Sequence, residues 1–224
     1  ETMEAELLLV ETSALNAARY AYQKATYYQR FGIASGDYEH EPDYDLWMRI
    51  AEPADGAVMA MTEDDDRPVT FIAHEYMGMP TALKAVMEDE EDVYTAFYAH
   101  EVATVRPHVE AHPGHDTRFY NLMEQARAEG LYIEDVLGPQ WGAYRHALID
   151  RAQACDAVFA VGDRVVEEYE FLSPECAAAP ISLVYNGIPS ADISLEEKRA
   201  SKARLVEYCE NLLDFTPDYV FTHV

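Results

Sequence analysis

His100, Glu101 and Arg106 bring an imidazole, a carboxylate and a guanidinium into one short stretch of chain. An imidazole holds or passes a proton near neutral pH. A carboxylate accepts hydrogen bonds, and a guanidinium clamps an anionic group through two parallel bonds. A second polar pair, His74-Glu75, ends the run V-T-F-I-A in the same way. A third cluster, His108, His112, His115 and Asp116, invites a metal reading, but its spacing is neither HExxH nor another zinc pattern. No metal is therefore assigned. The plainer alternative for His100 and Arg106 is a histidine that caps a turn and a solvated arginine.

The elements around these residues decide between the two. Val93 to Tyr98 is apolar, β-branched and aromatic, without Gly or Pro, which predicts a buried strand of a parallel sheet. His100 and Glu101 would then lie just past its carboxyl end, where open α/β sheets hold ligands. Pro68 introduces an earlier strand ending at His74-Glu75, with a turn at Gly78-Met79-Pro80 and a short helix over 81–87. That is a βαβ unit with a right-handed crossover. Further strands are expected over 6–11, 155–161, 181–185 and 218–224.

Helices are expected from Ser13 onward, over 46–61 with interruptions at Pro53 and Gly56, over 141–154, over 163–171 and over 195–213. Ser194 and Glu197 have the spacing of a capping box. Residues 108–119 read as a Gly/Pro-containing loop and 64–66 as an acidic turn. The fold class that follows is α/β, a Rossmann-like parallel sheet flanked by helices. Because the last strand begins at 218 with nothing to cover it, the chain is expected to be truncated there, at the start of a further domain.

Composition narrows the partners. The formal net charge is −26 over 224 residues, with Lys24, Lys84, Lys198 and Lys202 the only lysines. That field opposes nucleic acid and anionic membranes. No apolar run is long enough to span a bilayer and no basic, then apolar, leader is visible. Cys155, Cys176 and Cys209 are odd in number and scattered, which suits idle thiols in a reducing cytoplasm rather than disulfides or zinc.

Four stretches, in their order, resemble the N-terminal domain of glycogen synthases of the fungal and animal type, within the retaining GT-B glycosyltransferases. F-I-A-H-E-Y-M-G-M-P (71–80) resembles the family's His-Glu segment. A-F-Y-A-H-E-V-A-T-V-R (96–106) is similar to Thr-Thr-His-Ala-Thr-Leu-Leu-Gly-Arg, with His100 and Arg106 in register and Glu101 in place of Ala. Y-R-H-A-L-I-D-R-A-Q-A-C-D-A-V-F-A-V (144–161) resembles a Tyr-His-Arg-Tyr…Glu-Arg-Ala-Ala helix and strand. V-Y-N-G-I (184–188) resembles a Pro-Asn-Gly segment, with Tyr185 in place of Pro, and S-K-A-R-L (201–205) the helix that follows. The family's glycine-rich loop and its donor-binding domain with paired Glu are not in this sequence.

The resemblance implies a Rossmann-like acceptor-side domain over 1–189, an interdomain helix over 190–216, and the first strand of a donor-binding domain over 217–224. It implies transfer of glucose from UDP- or ADP-glucose to an α-1,4-glucan with retention, and no cofactor. His100 and Arg106 would be catalytic, and His74, Glu75, Glu101 and Asn186 would bind substrate. The chain alone is expected to be inactive, and a homo-oligomer is left open. The competing expectation is a carbohydrate-binding or regulatory module that keeps the half fold without the chemistry. A metal hydrolase on His108, His112, His115 and Asp116 is the third.

A charge of −26 repels itself, and salt screens that repulsion. The thermal midpoint is therefore expected to rise along a chloride series, and a flat or falling midpoint would show that self-repulsion does not limit stability.

Overall fold

The structure is a computed structural model describing residues 7–62, 67–111, 116–187 and 192–221. Two compact units divide the chain, Glu1–Tyr185 and Asn186–Val224.

The first unit opens with two long helices. Helix α1, Ala17–Phe31, buries Tyr20, Gln23, Tyr27 and Phe31 along one stripe. The helix starts later than Ser13, where it was expected: Asn16 caps it by accepting from the Arg19 amide, and Gly32 closes it at φ 71°. That left-handed position is one glycine takes without a Cβ penalty. Residues 7–11 form no strand, correcting the expectation there. An apolar run becomes a strand only where a neighbour supplies a ladder, and among the described residues none pairs with it.

Helix α2, Pro42–Thr62, runs unbroken through Pro53 and Gly56, where an interruption was expected. It buries Tyr44, Met48, Ala51 and Asp55 at i, i+4, i+7 and i+11. An interior proline costs about 3 kcal/mol, and one fully buried aromatic or Met side chain contributes about 1.5–3 kcal/mol. Two such side chains, Tyr44 and Met48, are fully buried on this face.

Strand β1, Val69–His74, passes directly into helix α3, Glu75–Glu88. The turn expected at 78–80 does not exist, because Gly78 and Pro80 are both helical. The reason is tertiary: a Cβ on Gly78 would sit 2.7 Å from the Ala73 Cα, so the helix lies against the strand it has just left. Asp89 and Asp92, at φ 50° and 62°, make the turn into strand β2, Val93–Ala99. Aspartate tolerates the left-handed region because its short polar side chain bonds locally.

Helices α4 (Arg106–Ala111), α5 (Asp116–Ala128), α6 (Ile133–Leu137) and α7 (Tyr144–Ile149) follow, α7 ending in a 3-10 turn at Asp150–Ala154. The loop expected over 108–119 is helical wherever it is described. The helix expected over 141–154 is shorter and ends in that tighter turn. Strand β3 (Ala157–Ala160), helices α8 (Asp163–Glu170) and α9 (Pro174–Ala178), and strand β4 (Ile181–Leu183) complete the unit.

The four strands pair in parallel in the order β1-β2-β3-β4. The fold is α/β with an all-parallel sheet flanked by helices, consistent with a Rossmann-like fold. Ala73, Phe97 and Val158 point into the core. On the other face Ile72 and Tyr94 are 51% and 50% exposed, so β2 is fully buried on one side only. Every crossover steps the same way, so the described sheet has no switch point of the kind that forms the ligand crevice in doubly wound folds.

In the second unit, helix α10, Leu195–Leu213, carries the expected capping box, Ser194 and Glu197 each bonding the other's backbone amide. Residues 217–221 form no strand, and 222–224 lie outside the described residues, as does the acidic turn at 64–66. Cys155 and Cys176 are buried free thiols, and burial pushes both up to about 12. Among the described residues no helix is long and apolar enough to cross a membrane.

Gly78→Ala is expected to destabilise the first unit by about 1–3 kcal/mol, the usual range for overpacking a tight site. Urea denaturation checks this, and an unchanged midpoint would mean that α3 can lift off β1 freely.

Candidate functional site

The strand-to-helix junction builds the site. Glu75 is the first residue of α3 and sits at φ 59°, a region a non-glycine residue with a long side chain rarely occupies. Such strain costs about 1–3 kcal/mol and persists only where surrounding contacts over-determine it. Here the contacts come from the end of β2. Glu75 Oε1 accepts the backbone N–H of His100 and, at 2.8 Å, that of Glu101. The side chain is 9% exposed, and Glu75 Oε2 accepts nothing among the described residues. Burial raises its carboxyl above the usual range, while the two amide bonds pull the other way.

This joint sets His74 against His100. Nδ1 of His74 lies 2.9 Å from Nε2 of His100, with the rings stacked at 5.2 Å. One nitrogen must present its lone pair for that bond to exist, so at most one of the two facing atoms carries a proton. Tyr98 packs beside both rings, 4.6 Å from His100 and 5.3 Å from His74. Its hydroxyl donates to the Val184 carbonyl at 2.6 Å, which ties β2 to the chain leaving β4. Tyr185 donates to Asp163 Oδ2 at 2.7 Å across the same edge.

Arg106 opens α4 and is already engaged. Its Nε lies 3.1 Å from Glu101 Oε2 and 3.9 Å from Glu110 Oε1. A cavity of about 200 Å³ sits between this pair and α8. Glu168 lines it, buried, with its carboxyl raised by burial, and accepts from the Tyr120 hydroxyl at 2.6 Å. Arg164 lies over the Tyr120 ring at 4.7 Å.

Of the residues singled out in the sequence, His74, Glu75, His100, Glu101 and Arg106 come together at one edge of the sheet. Asn186 belongs to the second unit. Among the described residues no group of three potential ligands could hold a metal, and His112 and His115 lie outside them. His108 instead bonds Gln140 at 2.8 Å. The sequence did not reveal Tyr98, which reads as a core strand residue, nor Tyr120, Arg164 and Glu168, which read as ordinary helix surface. Only the meeting of α5 and α8 beside the chain that leaves β2 joins them.

The chain matches no protein-family model, and no curated protein is significantly similar to it.

Burial raises the Glu75 carboxyl in the folded state. Its contribution therefore favours folding below the unfolded value and is lost as pH rises through the raised one. Glu75→Gln stops the titration and keeps an acceptor for the two amides. The stability of the wild type relative to this variant is expected to be greatest near pH ~4 and to shrink toward neutrality. Urea melts at both pH values measure it, and a difference that grows with pH would mean the amide bonds dominate burial.

Proposed function

We propose that this chain forms the acceptor-side part of a retaining glycosyltransferase resembling glycogen synthase, which transfers glucose from a nucleotide-glucose to an α-1,4-glucan. The observation that carries the reading is the His74–Tyr98–His100 group at the carboxyl edge of a parallel sheet. Aromatic faces and ring nitrogens side by side suit a pyranose, which offers C–H faces to stack on and hydroxyls to bond. The order of sequence segments supports the same class.

In this reading His100 orients the transferred glucose through a ring nitrogen and makes no covalent bond to it. His74 fixes the His100 ring through the shared hydrogen bond. Glu75 acts through the backbone, holding the His100–Glu101 peptide rather than touching the sugar. Arg106 faces the negative charge that grows on the departing diphosphate, and must share its guanidinium with Glu101 to do so. Asn186 shapes the turn that leaves the first unit. The protein works in the cytoplasm, where nucleotide-sugars are made.

The Arg106–Glu101 pair favours a second reading, a module that binds glucan without transferring it. A cation already held by a carboxylate is poorly placed for phosphate, and the −26 charge repels an anionic donor.

Steady-state kinetics of this domain joined to the donor-binding domain that the resemblance implies, with nucleotide-glucose and a linear maltooligosaccharide, tests both. His100→Ala is expected to lower kcat by about 10²–10³-fold, far more than it raises KM, with little change in thermal midpoint. Glu101→Ala should keep most activity, since the family it resembles places alanine there. A His100→Ala protein that melts early and stays active makes the histidine structural. A two-domain wild type that binds the oligosaccharide but releases no nucleoside diphosphate favours the module.

A further inference from the structure

Helix α3 carries the candidate site at its first residue. Its last turn closes a different cavity, of about 540 Å³, bounded also by α1 and α2. At about 1.5 Å per residue the two ends stand roughly 20 Å apart. The cavity lies within the size range of small-molecule sites.

The lining carries five carboxylates against three cations, a formal balance of −2. Each cation already has its own acid: Arg19 pairs with Glu52 at 3.0 Å, Arg49 with Asp45 at 2.6 Å, and Lys84 with Glu88. Asp55 is left over. It lines the cavity from α2, is 8% exposed, and among the described residues takes no hydrogen bond or ion pair. Burial raises its carboxyl, Lys84 lowers it from beyond bonding distance, and Glu90 and Glu52 raise it again. Its oxygens open on the cavity, and a carboxylate with so little access to solvent is costly unless it is paired there. Residues that break such a rule without local compensation tend to serve function.

A metal does not suit the site, since no three ligating groups converge among the described residues. An anion has the wrong sign for it. Leu15, Tyr20 and Met59 supply apolar lining beside the acids. Glu90, on that rim, makes no ion pair among the described residues and lies close enough to Asp55 to act on its charge.

We propose that this cavity binds a small alkyl diamine, one ammonium bonded to the buried Asp55 carboxylate, the carbon chain along Leu15 and Met59, and the second ammonium at Glu90. The charge of the whole chain draws such a cation in, and Asp55 fixes where it stops.

Calorimetric titration with 1,4-diaminobutane at physiological ionic strength tests this, with 1-aminobutane as the single-charge comparator. The wild type is expected to bind the diamine more tightly than the monoamine. Asp55→Asn should weaken the diamine roughly ten- to hundredfold, the effect of one charge-assisted hydrogen bond. Glu90→Gln should weaken the diamine and leave the monoamine unchanged. Glu196→Gln, on α10, removes the same charge elsewhere and should change neither. Without ligand, Asp55→Asn should melt at the same temperature or a few degrees higher, because a buried unpaired charge has gone. Weak binding that is equal in all four proteins would be diffuse attraction to an acidic surface and overturns the proposal. So would an absence of binding. If that variant fails to fold, the proposal stands or falls on the Glu90→Gln split between diamine and monoamine.

Discussion

The Glu75 carboxylate holds the amides of His100 and Glu101, and the whole carboxyl edge of the sheet depends on that joint. It spans two neighbouring strands just past their last paired residues, where the ladder no longer aligns them. It also holds a glutamate backbone in the left-handed region, which the chain would leave if the side chain were not fixed. The stacking of His74 on His100 follows from it, because each ring is attached next to an end of the joint. Glu75 therefore shapes the edge through the backbone, while one of its oxygens accepts no bond among the described residues.

Helix α3 turns that local joint into an architecture. Gly78 lets it lie on β1, and its buried face packs into the same core as α1 and α2. Two prolines, Pro53 in α2 and Pro80 in α3, sit inside helices without ending them. In both cases a stripe of buried side chains continues on either side of the proline, so packing outweighs the lost backbone bond. One rigid helix thus presents its start to the His74–His100 edge and its end to an acidic cavity.

Charge sets the limits of both places. The chain has 16 basic residues against 42 acidic ones, and at the two sites each described cation lies beside a carboxylate. At the sheet edge this means that an anionic substrate competes with Glu101 and Glu110 for Arg106. In the α1–α2–α3 cavity the same excess leaves Asp55 without an ion pair among the described residues, since Lys84 is held by Glu88. The surplus of acid thus discourages anions at one end of α3 and favours cations at the other.

The amino-acid sequence by itself determined the four paired strands and the residues at the ends of the first two. Val93 to Tyr98 is too β-branched and aromatic to be a surface helix, so His100 and Glu101 had to follow a strand, and His74-Glu75 followed another by the same pattern. Helix α10 and its capping box were equally legible, because a cap is a contact between residues three apart. Tertiary structure alone decided the rest. Gly78 and Pro80 spell a turn locally, yet they are helical because α3 must lie on Ala73. The runs at 7–11 and 217–221 spell strands, yet they form none, since a strand needs a partner that no local pattern supplies. Asp55 reads as one more acid on a polar stretch, and Tyr120 and Glu168 as helix surface 48 positions apart. Their burial and their neighbours arise from helices meeting across long sequence distances, and periodicity in a single segment carries no record of what it will face.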